Sequence, residues 1–256
     1  MRRMRKETKQ MRKKRPAQMN SFSNSLPDAI KKAGRVLLCA HVSPDGDTIG
    51  ASLALRLAIL KMGGQAEVVC ADEVPSLLMF LKGADEIRKP AQLKGQSFDL
   101  AMAVDVSDRH RLGECAPLFF ATRQTAQIDH HGTNPGYADI NVVVADASAT
   151  SVLTYELIHA LNVPLDVDIA ACLYTGISTD TGNFSFDNTT SDAFLVMAEL
   201  MAYGLPIARL NRVLFRERSR EQVLVLNRAL STLTFYDGGR VTGMYLTQAD
   251  LDACGA

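Results

Sequence analysis

The sequence lacks the features that would place it in a membrane or in the disulfide-rich secreted class. It has no run of about 18 consecutive apolar residues without a charge, so we expect no membrane-spanning helix. No apolar segment follows the basic N-terminus, which argues against a secretory signal. The five cysteines are odd in number and contain no C-x-x-C pair, a pattern typical of free thiols rather than of disulfides or a zinc–thiolate site. These absences predict a cytoplasmic protein.

Charge is unevenly distributed along the chain, although the formal net charge is zero. Residues 1–20 contain nine of the 28 Lys and Arg residues and one of the 28 Asp and Glu residues, which leaves a net charge of −8 on the remainder. We expect residues 1–24 to form a disordered basic tail. The alternative is a basic arm that binds RNA or an anionic surface without specificity.

Short apolar runs alternate with helical patterns from residue 35 onward. Such alternation predicts an α/β fold, a mostly parallel sheet with helices on both faces. The predicted strands are 35–40, 65–71, 98–106 and 125–128, and the predicted helices are 50–62, 149–161, 167–177, 191–202 and 207–215.

A second, smaller unit is predicted at the C-terminal end of the sequence. An amphipathic helix at 219–230 is followed by a hairpin pattern at 233–246, with Asp237-Gly238-Gly239 as its turn. We therefore expect a catalytic domain at 25–216. Residues 217–256 are expected to form a linker helix and the first hairpin of an incomplete second α/β domain.

Asp180 follows the predicted helix 167–177, and the other acidic and histidine candidates follow the ends of three predicted strands. In a parallel sheet these ends share one edge, where ligands bind. The candidates exceed the ligands that one metal ion needs, which suggests two metals and hydrolytic chemistry on phosphate. They are His41, Asp45, Asp47, Asp105, Asp129, His130, His131 and Asp180. His110 is close to Asp105 in sequence and is a further candidate, whereas His159 is expected to pack on a helix face.

A purely structural role is the alternative for some of these carboxylates. Asp45 and Asp47 can make Asx turns and cap the helix that starts at Thr48, and Asp105 can cap the segment after its strand. The adjacent histidines are harder to explain in this way. One imidazole can bind metal while the next faces substrate, and the preceding aspartate can orient one of them.

Four sequence motifs in order resemble those of the DHH phosphoesterase superfamily. They are AHVSPDGDTIGASLAL, AVDVSDRHRLG, IDHHGTNPGYAD and GISTDTGNFSF. Within the superfamily the sequence is most similar to the bacterial bifunctional oligoribonucleases and 3′-phosphoadenosine-5′-phosphate (pAp) phosphatases. The resemblance extends from about Leu26 to the end of the sequence.

The resemblance implies roles for individual residues. One manganese ion would be bound by His41, Asp45 and Asp105, and a second by Asp47, Asp105, His130 and Asp180, with Asp105 as the bridge. His131 is similar to the histidine that faces the scissile phosphate, and Arg111 matches an arginine of the second motif that contacts substrate. Carboxylate and imidazole ligands suit Mn²⁺, and Mg²⁺, Co²⁺ and Zn²⁺ remain open.

The resemblance also implies a reaction and its substrates. A hydroxide that bridges the two metals would attack phosphorus in short oligoribonucleotides, dinucleotides or pAp. The sequence departs from the family pattern because it contains no Gly-Gly-His triplet of the substrate-binding DHHA1 domain. A homodimer or a separate cap chain could supply that function. The alternatives are a linear or cyclic dinucleotide phosphodiesterase, and a nonenzymatic or split-complex half that binds nucleotide.

Overall fold

The computed structural model describes residues 25–255, so the predicted basic tail at 1–24 lies outside the described residues. The chain forms two compact units, one that ends at Ile207 and one that begins at Ala208. Among the described residues, no helix combines the length and apolar character needed to cross a membrane.

The first unit alternates strands with helices, as the sequence patterns predict. Its elements are α1 (Ser25–Lys32), β1 (Arg35–Cys39), α2 (Gly46–Lys61), β2 (Gln65–Val69), β3 (Leu100–Val104), α3 (Ala116–Ala121), β4 (Thr125–Asp129), β5 (Ile140–Val143), α4 (Thr150–Ala160), α5 (Val167–Asp180) and α6 (Ser191–Leu200). Short 3₁₀ segments connect them at Ser76–Leu78, Ala84–Glu86, Pro90–Leu93, Arg109–Cys115 and Met201–Tyr203. The sequence patterns did not predict α1, α3 or β5.

The five strands form one sheet in the order β2-β1-β3-β4-β5, and every neighbouring pair is parallel. From β1 the chain forms β2 on one side of β1. It then returns and adds β3, β4 and β5 in turn on the other side of β1. The strand order therefore reverses between β1 and β3. In open parallel sheets this switch point leaves a crevice beyond the carboxyl ends of the strands, and ligands bind there.

Both faces of the sheet are covered, which confirms the predicted α/β class. Leu37 and Cys39 of β1 pack in one buried cluster with Leu93, Leu112 and Phe119 from the 3₁₀ segments and α3. Val36 and Leu38 alternate with them in β1 and are equally buried. Helices α2 and α4 also pack against strands, and α5 packs against both of these helices. This helix layer brings the start of α2 close to the end of α5.

The second unit is small and contains the predicted hairpin. Its elements are α7 (Ile207–Phe215), α8 (Arg220–Ser231), β6 (Thr234–Tyr236), β7 (Val241–Gly243) and α9 (Gln248–Cys254). The first residue of α7, Ile207, is the last residue of the first unit. Strands β6 and β7 are antiparallel, and α8 packs against α9, a helix that the sequence patterns did not predict. Several large apolar side chains of this unit are exposed, namely Leu226, Phe235, Val241 and Tyr245.

Candidate metal centre

The candidate ligands lie together beyond the carboxyl ends of β1, β3 and β4, at the switch point. Three groups each have one ligand atom per residue within 4.8 Å of the others: His41, Asp45 and Asp105; Asp47, His130 and Asp180; and Asp105, His130 and His131. Asp180 reaches the cluster from the last residue of α5. The topology thus brings together residues that are up to 139 positions apart in the sequence.

Asp105 lies at the centre of the cluster. It follows β3 with a φ of 63°, a left-handed conformation that is uncommon for residues other than glycine. Its backbone N–H donates to the carbonyl of Ile128 at 2.9 Å, which anchors it to β4. Its Oδ2 lies 3.6 Å from Nε2 of His41, and its Oδ1 lies 3.7 Å from Nε2 of His130 and 3.7 Å from Nδ1 of His131. The two carboxylate oxygens therefore face different histidines, and such a carboxylate can bridge two cations.

His41 directs its Nε2 at two carboxylates. This atom lies 3.6 Å from Oδ2 of Asp45 and 3.6 Å from Oδ2 of Asp105, while Nδ1 lies 2.7 Å from the carbonyl oxygen of Val42. Burial lowers the pKa of His41, but the hydrogen bonds to Asp105 and Asp45 outweigh it and raise the pKa to about 9. In the neutral tautomer whose Nδ1–H donates to Val42, the lone pair of Nε2 faces the two carboxylates, where it can act as a metal ligand.

Asp45 caps helix α2, as predicted for a purely structural role, and it also faces the cluster. Its Oδ1 accepts from the backbone N–H groups of Asp47 at 3.0 Å and Thr48 at 3.1 Å, at the N-terminus of α2. Its Oδ2 is the atom that faces His41. Capping thus occupies one carboxylate oxygen of Asp45 and leaves the other oxygen available to act as a metal ligand.

Asp47 makes a different contact from the expected cap. It lies in the first turn of α2, but its Oδ2 and Oδ1 accept from the backbone N–H groups of Thr150 at 2.6 Å and Ser151 at 2.9 Å, at the start of α4. The N-cap residue of α4 is Ala149, which has no side-chain acceptor. Asp47 therefore caps a helix about 100 residues away in sequence. Burial and the charges of Asp105 and Asp180 raise its pKa well above the ordinary value.

His130 has a buried nitrogen that no residue in the described range 25–255 satisfies. Its Nδ1 lies 3.1 Å from the carbonyl oxygen of Ala147, to which it donates when protonated. Its Nε2 is buried without a hydrogen-bond partner among the described residues and lies 3.4 Å from Oδ2 of Asp180. Burial raises the pKa of Asp180 to about 6, a shift that His130 opposes and Asp105 supports.

These features fit a divalent metal site. A buried imidazole nitrogen without a partner is rare, because it loses hydration and gains nothing in return. The crowding of the Asp47, Asp105 and Asp180 carboxylates is unfavourable because like charges repel, and a cation would relieve the repulsion. Carboxylate and imidazole donors together suit hard and borderline divalent ions. The centre can therefore hold metal.

His131 is oriented by Asp129, the first residue of the Asp-His-His triplet. Nδ1 of His131 donates to Oδ1 of Asp129 at 2.8 Å, and this hydrogen bond raises the pKa of His131. Asp129 is fully buried, which raises its own pKa, but the hydrogen bonds from His131 and Asn134 hold that pKa below the ordinary value. The Nε2 of His131 takes no part in this contact.

Arg111 lies behind His41 in the 3₁₀ segment Arg109–Cys115. Its Nη2 lies 2.9 Å from Nδ1 of His41, and its carbonyl accepts from the N–H of Val42 at 2.8 Å. The structure thus places the guanidinium beside the site. His110 of the same segment is exposed and belongs to none of the three ligand groups, and His159 packs on the ring of Tyr155 in α4.

Sequence patterns missed Thr150, which joins two of the candidate ligands. Its backbone N–H donates to Asp47, and its Oγ1 donates to Oδ1 of Asp105 at 2.8 Å. Nothing in the local sequence identifies it, because both contacts involve residues at least 45 positions away.

Thr150→Val removes the hydroxyl donor to Asp105 and keeps the side-chain shape. We expect metal affinity to fall about tenfold, the lower end of the usual cost of losing a residue that orients a ligand. Calorimetric titration of Mn²⁺ measures the change. Thr154→Val in the same helix is the matched control, because Oγ1 of Thr154 is buried without a hydrogen-bond partner in the part of the chain that the structure describes, and its loss should not affect metal affinity. Equal affinities for the two variants would contradict the role of Thr150.

The fold and the cluster define a class of protein, a parallel α/β protein with an Asp–His cluster at its switch point that can hold divalent cations. The N-terminal domain of the DHH family matches residues 35–177, more than half of the chain, so the chain belongs to the DHH family. This membership confirms the resemblance predicted from the four motifs.

Two curated relatives also align with most of the chain. The chain is 36% identical over 216 residues to the bifunctional oligoribonuclease and PAP phosphatase NrnA of Thermus thermophilus, an alignment that covers 84% of this chain and 64% of the relative. It is 25% identical over 190 residues to the protein of the same name from Bacillus subtilis, covering 72% of this chain and 58% of the relative. The chain thus spans about three fifths of the length of these relatives.

The fold is also found in a solved structure. The crystal structure of an exopolyphosphatase-related protein from Bacteroides fragilis superposes with a TM-score of 0.83 and 22% sequence identity, and covers 91% of this chain and 71% of that chain. This likeness supports the architecture.

Proposed function

We propose that the chain is a metal-dependent phosphoesterase that hydrolyses short oligoribonucleotides from an end and also hydrolyses pAp. The observation that carries this proposal is the position of Asp105, whose carboxylate lies within 3.7 Å of a nitrogen of His41, of His130 and of His131. The chain belongs to the DHH family, and relatives named as oligoribonucleases and PAP phosphatases align with most of it.

The cluster is proposed to hold two divalent ions, with Mn²⁺ as the preferred metal. His41, Asp45 and Asp105 would bind one ion, and Asp47, Asp105, His130 and Asp180 the other. The unpartnered Nε2 of His130 and the absence of thiolates from the three groups support this assignment. Bound ions of this kind polarise phosphoryl oxygens and lower the pKa of water toward about 7.

The protein side chains orient the substrate and move protons. Asp105 and Asp47 are held by Thr150, so the carboxylates keep their positions while a phosphate binds. His131, with Nδ1 fixed on Asp129, presents Nε2 to the phosphate and donates a proton to the leaving oxygen during in-line attack by water. Arg111, beside His41, is proposed to contact a substrate phosphate.

Within the second unit, residues 217–256 are proposed to be a linker helix, α8, followed by the first hairpin, β6 and β7, of an incomplete substrate-binding domain. Exposed apolar side chains such as Leu226 and Phe235 favour a partner surface, supplied by further sequence, by a second copy or by a separate chain. The described cysteines are all free, which favours a reducing, cytoplasmic setting.

Cleavage of a 5′-labelled diadenylate tests the proposed function. We expect release of adenosine monophosphate in Mn²⁺, no release in excess chelator, and a loss of activity in His130→Ala. His159→Ala is the matched control, because this histidine packs on Tyr155 in α4 and should leave the activity intact. If wild type binds Mn²⁺ but cleaves neither diadenylate nor pAp, the chain is a nucleotide-binding half and not an enzyme on its own. If it cleaves cyclic dinucleotides in preference, the dinucleotide phosphodiesterase alternative holds.

A further inference from the structure

A buried polar network lies behind His131. One oxygen of Asp129, Oδ1, accepts from Nδ1 of His131, and the other, Oδ2, accepts from Nδ2 of Asn134 at 2.6 Å. The side chain of Asp129 is fully buried, so these two donors take the place of water. Asn134 is thus the second partner of the carboxylate that holds His131.

Asn134 is itself fixed from several sides. Its Nδ2 lies 3.0 Å from Oε1 of Gln127 and 3.1 Å from the carbonyl oxygen of Val106. Its Oδ1 accepts from Nε2 of Gln127 at 3.1 Å and from the N–H of Gly136 at 2.9 Å. Gln127 is fully buried within β4, and Val106 directly follows Asp105. Asn134 therefore ties the loop after β4 to the loop after β3.

We infer that Asn134 is a positioning residue for phosphoester hydrolysis, which acts through Asp129 to hold His131 in the orientation that faces the substrate. This inference rests on the proposed function. While Asn134 donates to Oδ2, the carboxylate of Asp129 cannot rotate, so Oδ1 stays directed at Nδ1 of His131. Without that donor, Oδ2 is buried and unsatisfied, and the carboxylate turns toward other donors. His131 then loses its fixed orientation although the cluster around Asp105 is unchanged.

The effect of Asn134→Ala should fall on turnover and not on binding. We expect kcat on diadenylate to fall about 10- to 100-fold, the usual cost of losing such an orienting contact, with KM and Mn²⁺ affinity close to wild type. A general structural defect would change all three. Asn141→Ala is the matched control, because Asn141 accepts from Nε2 of Gln127 at 2.5 Å in the same network but has no contact with Asp129. It should keep the wild-type kcat.

An isosteric variant covers the case in which Asn134→Ala does not fold. Asn134→Asp keeps the acceptor for Gln127 and Gly136 but removes the donor to Asp129, so kcat should fall at least as far as in Asn134→Ala. A double variant tests whether Asn134 acts through His131. If it does, Asn134→Ala should cause no additional loss of kcat in a His131→Ala background.

The outcomes separate this inference from the proposed function. Wild-type kcat in Asn134→Asp, equal losses in Asn134→Ala and Asn141→Ala, or a full additional loss in the double variant would each overturn the role of Asn134 while the proposed function stands. Absence of Mn²⁺-dependent cleavage by the wild-type chain would instead overturn the proposed function and the inference with it.

Discussion

Asp105→Asn is expected to lower Mn²⁺-dependent cleavage of diadenylate by about 10³-fold or more. Metal ions contribute several kcal/mol of transition-state stabilisation, and each loss of about 1.4 kcal/mol costs a factor of ten in rate. Asp105 faces His41 through one oxygen and both His130 and His131 through the other, so its charge serves both proposed metal positions. Asparagine keeps the size of the side chain and tolerates the left-handed backbone at a φ of 63°, so the variant isolates the charge.

Two measurements check this prediction. The first is kcat, with Asp99→Asn as the matched control, because Asp99 lies next to the opposite end of β3, where it accepts from the backbone N–H of Arg35. The second is the increase in melting temperature on adding Mn²⁺, which measures the binding of metal to the folded state and should disappear in Asp105→Asn. Near wild-type turnover in this variant would contradict the bridging role of Asp105.

The sheet could be predicted because its strands carry a clear signal. Strands β1 and β3 are short apolar runs buried on both faces, such as Leu100–Val104, and this pattern is typical of parallel sheets. Strand β5, Ile140–Val143, lies at the sheet edge and has one exposed and one buried residue among only four positions. Such a segment cannot be distinguished from a loop by periodicity. Helix α3, with six residues, is too short to show a helical period.

Most candidate ligands could be predicted because they lie at or soon after strand ends, whereas the residues that hold the ligands in place could not. Asp47 looks like a cap of its own helix, yet its carboxylate satisfies the N–H groups of Thr150 and Ser151. Asn134 looks like an ordinary loop residue, although it contacts the buried Asp129. These contacts depend on how distant segments pack, and a local pattern contains no information about such packing. The assignment of the ligands to individual metal ions stays a prediction.

Gly176→Ala is expected to disturb the metal centre through packing alone. Gly176 lies in α5 where this helix passes the start of α4, and a Cβ added there would overlap Oγ of Ser151 and lie 2.5 Å from Oδ1 of Asp47. In an exposed helix the same change stabilises by up to about 1 kcal/mol. Here the overlap should destabilise the fold by about 1–3 kcal/mol. Asp47 must move, so we expect Mn²⁺ affinity to fall about 100-fold, as for the loss of a residue that orients a ligand.

Gly50→Ala separates the effect on the site from the effect on the fold. Gly50 lies in α2 at the same helix contact, and its added Cβ would lie 2.5 Å from the backbone oxygen of Cys172, away from any candidate ligand atom. Both variants should therefore lower the melting temperature of the metal-free protein, but only Gly176→Ala should lose most of its Mn²⁺ affinity. Equal affinity losses would mean that the helix contact, and not the displacement of Asp47, controls the site. Wild-type affinity in Gly176→Ala would mean that Asp47 is not a ligand, because its carboxylate cannot keep its position beside the added methyl group.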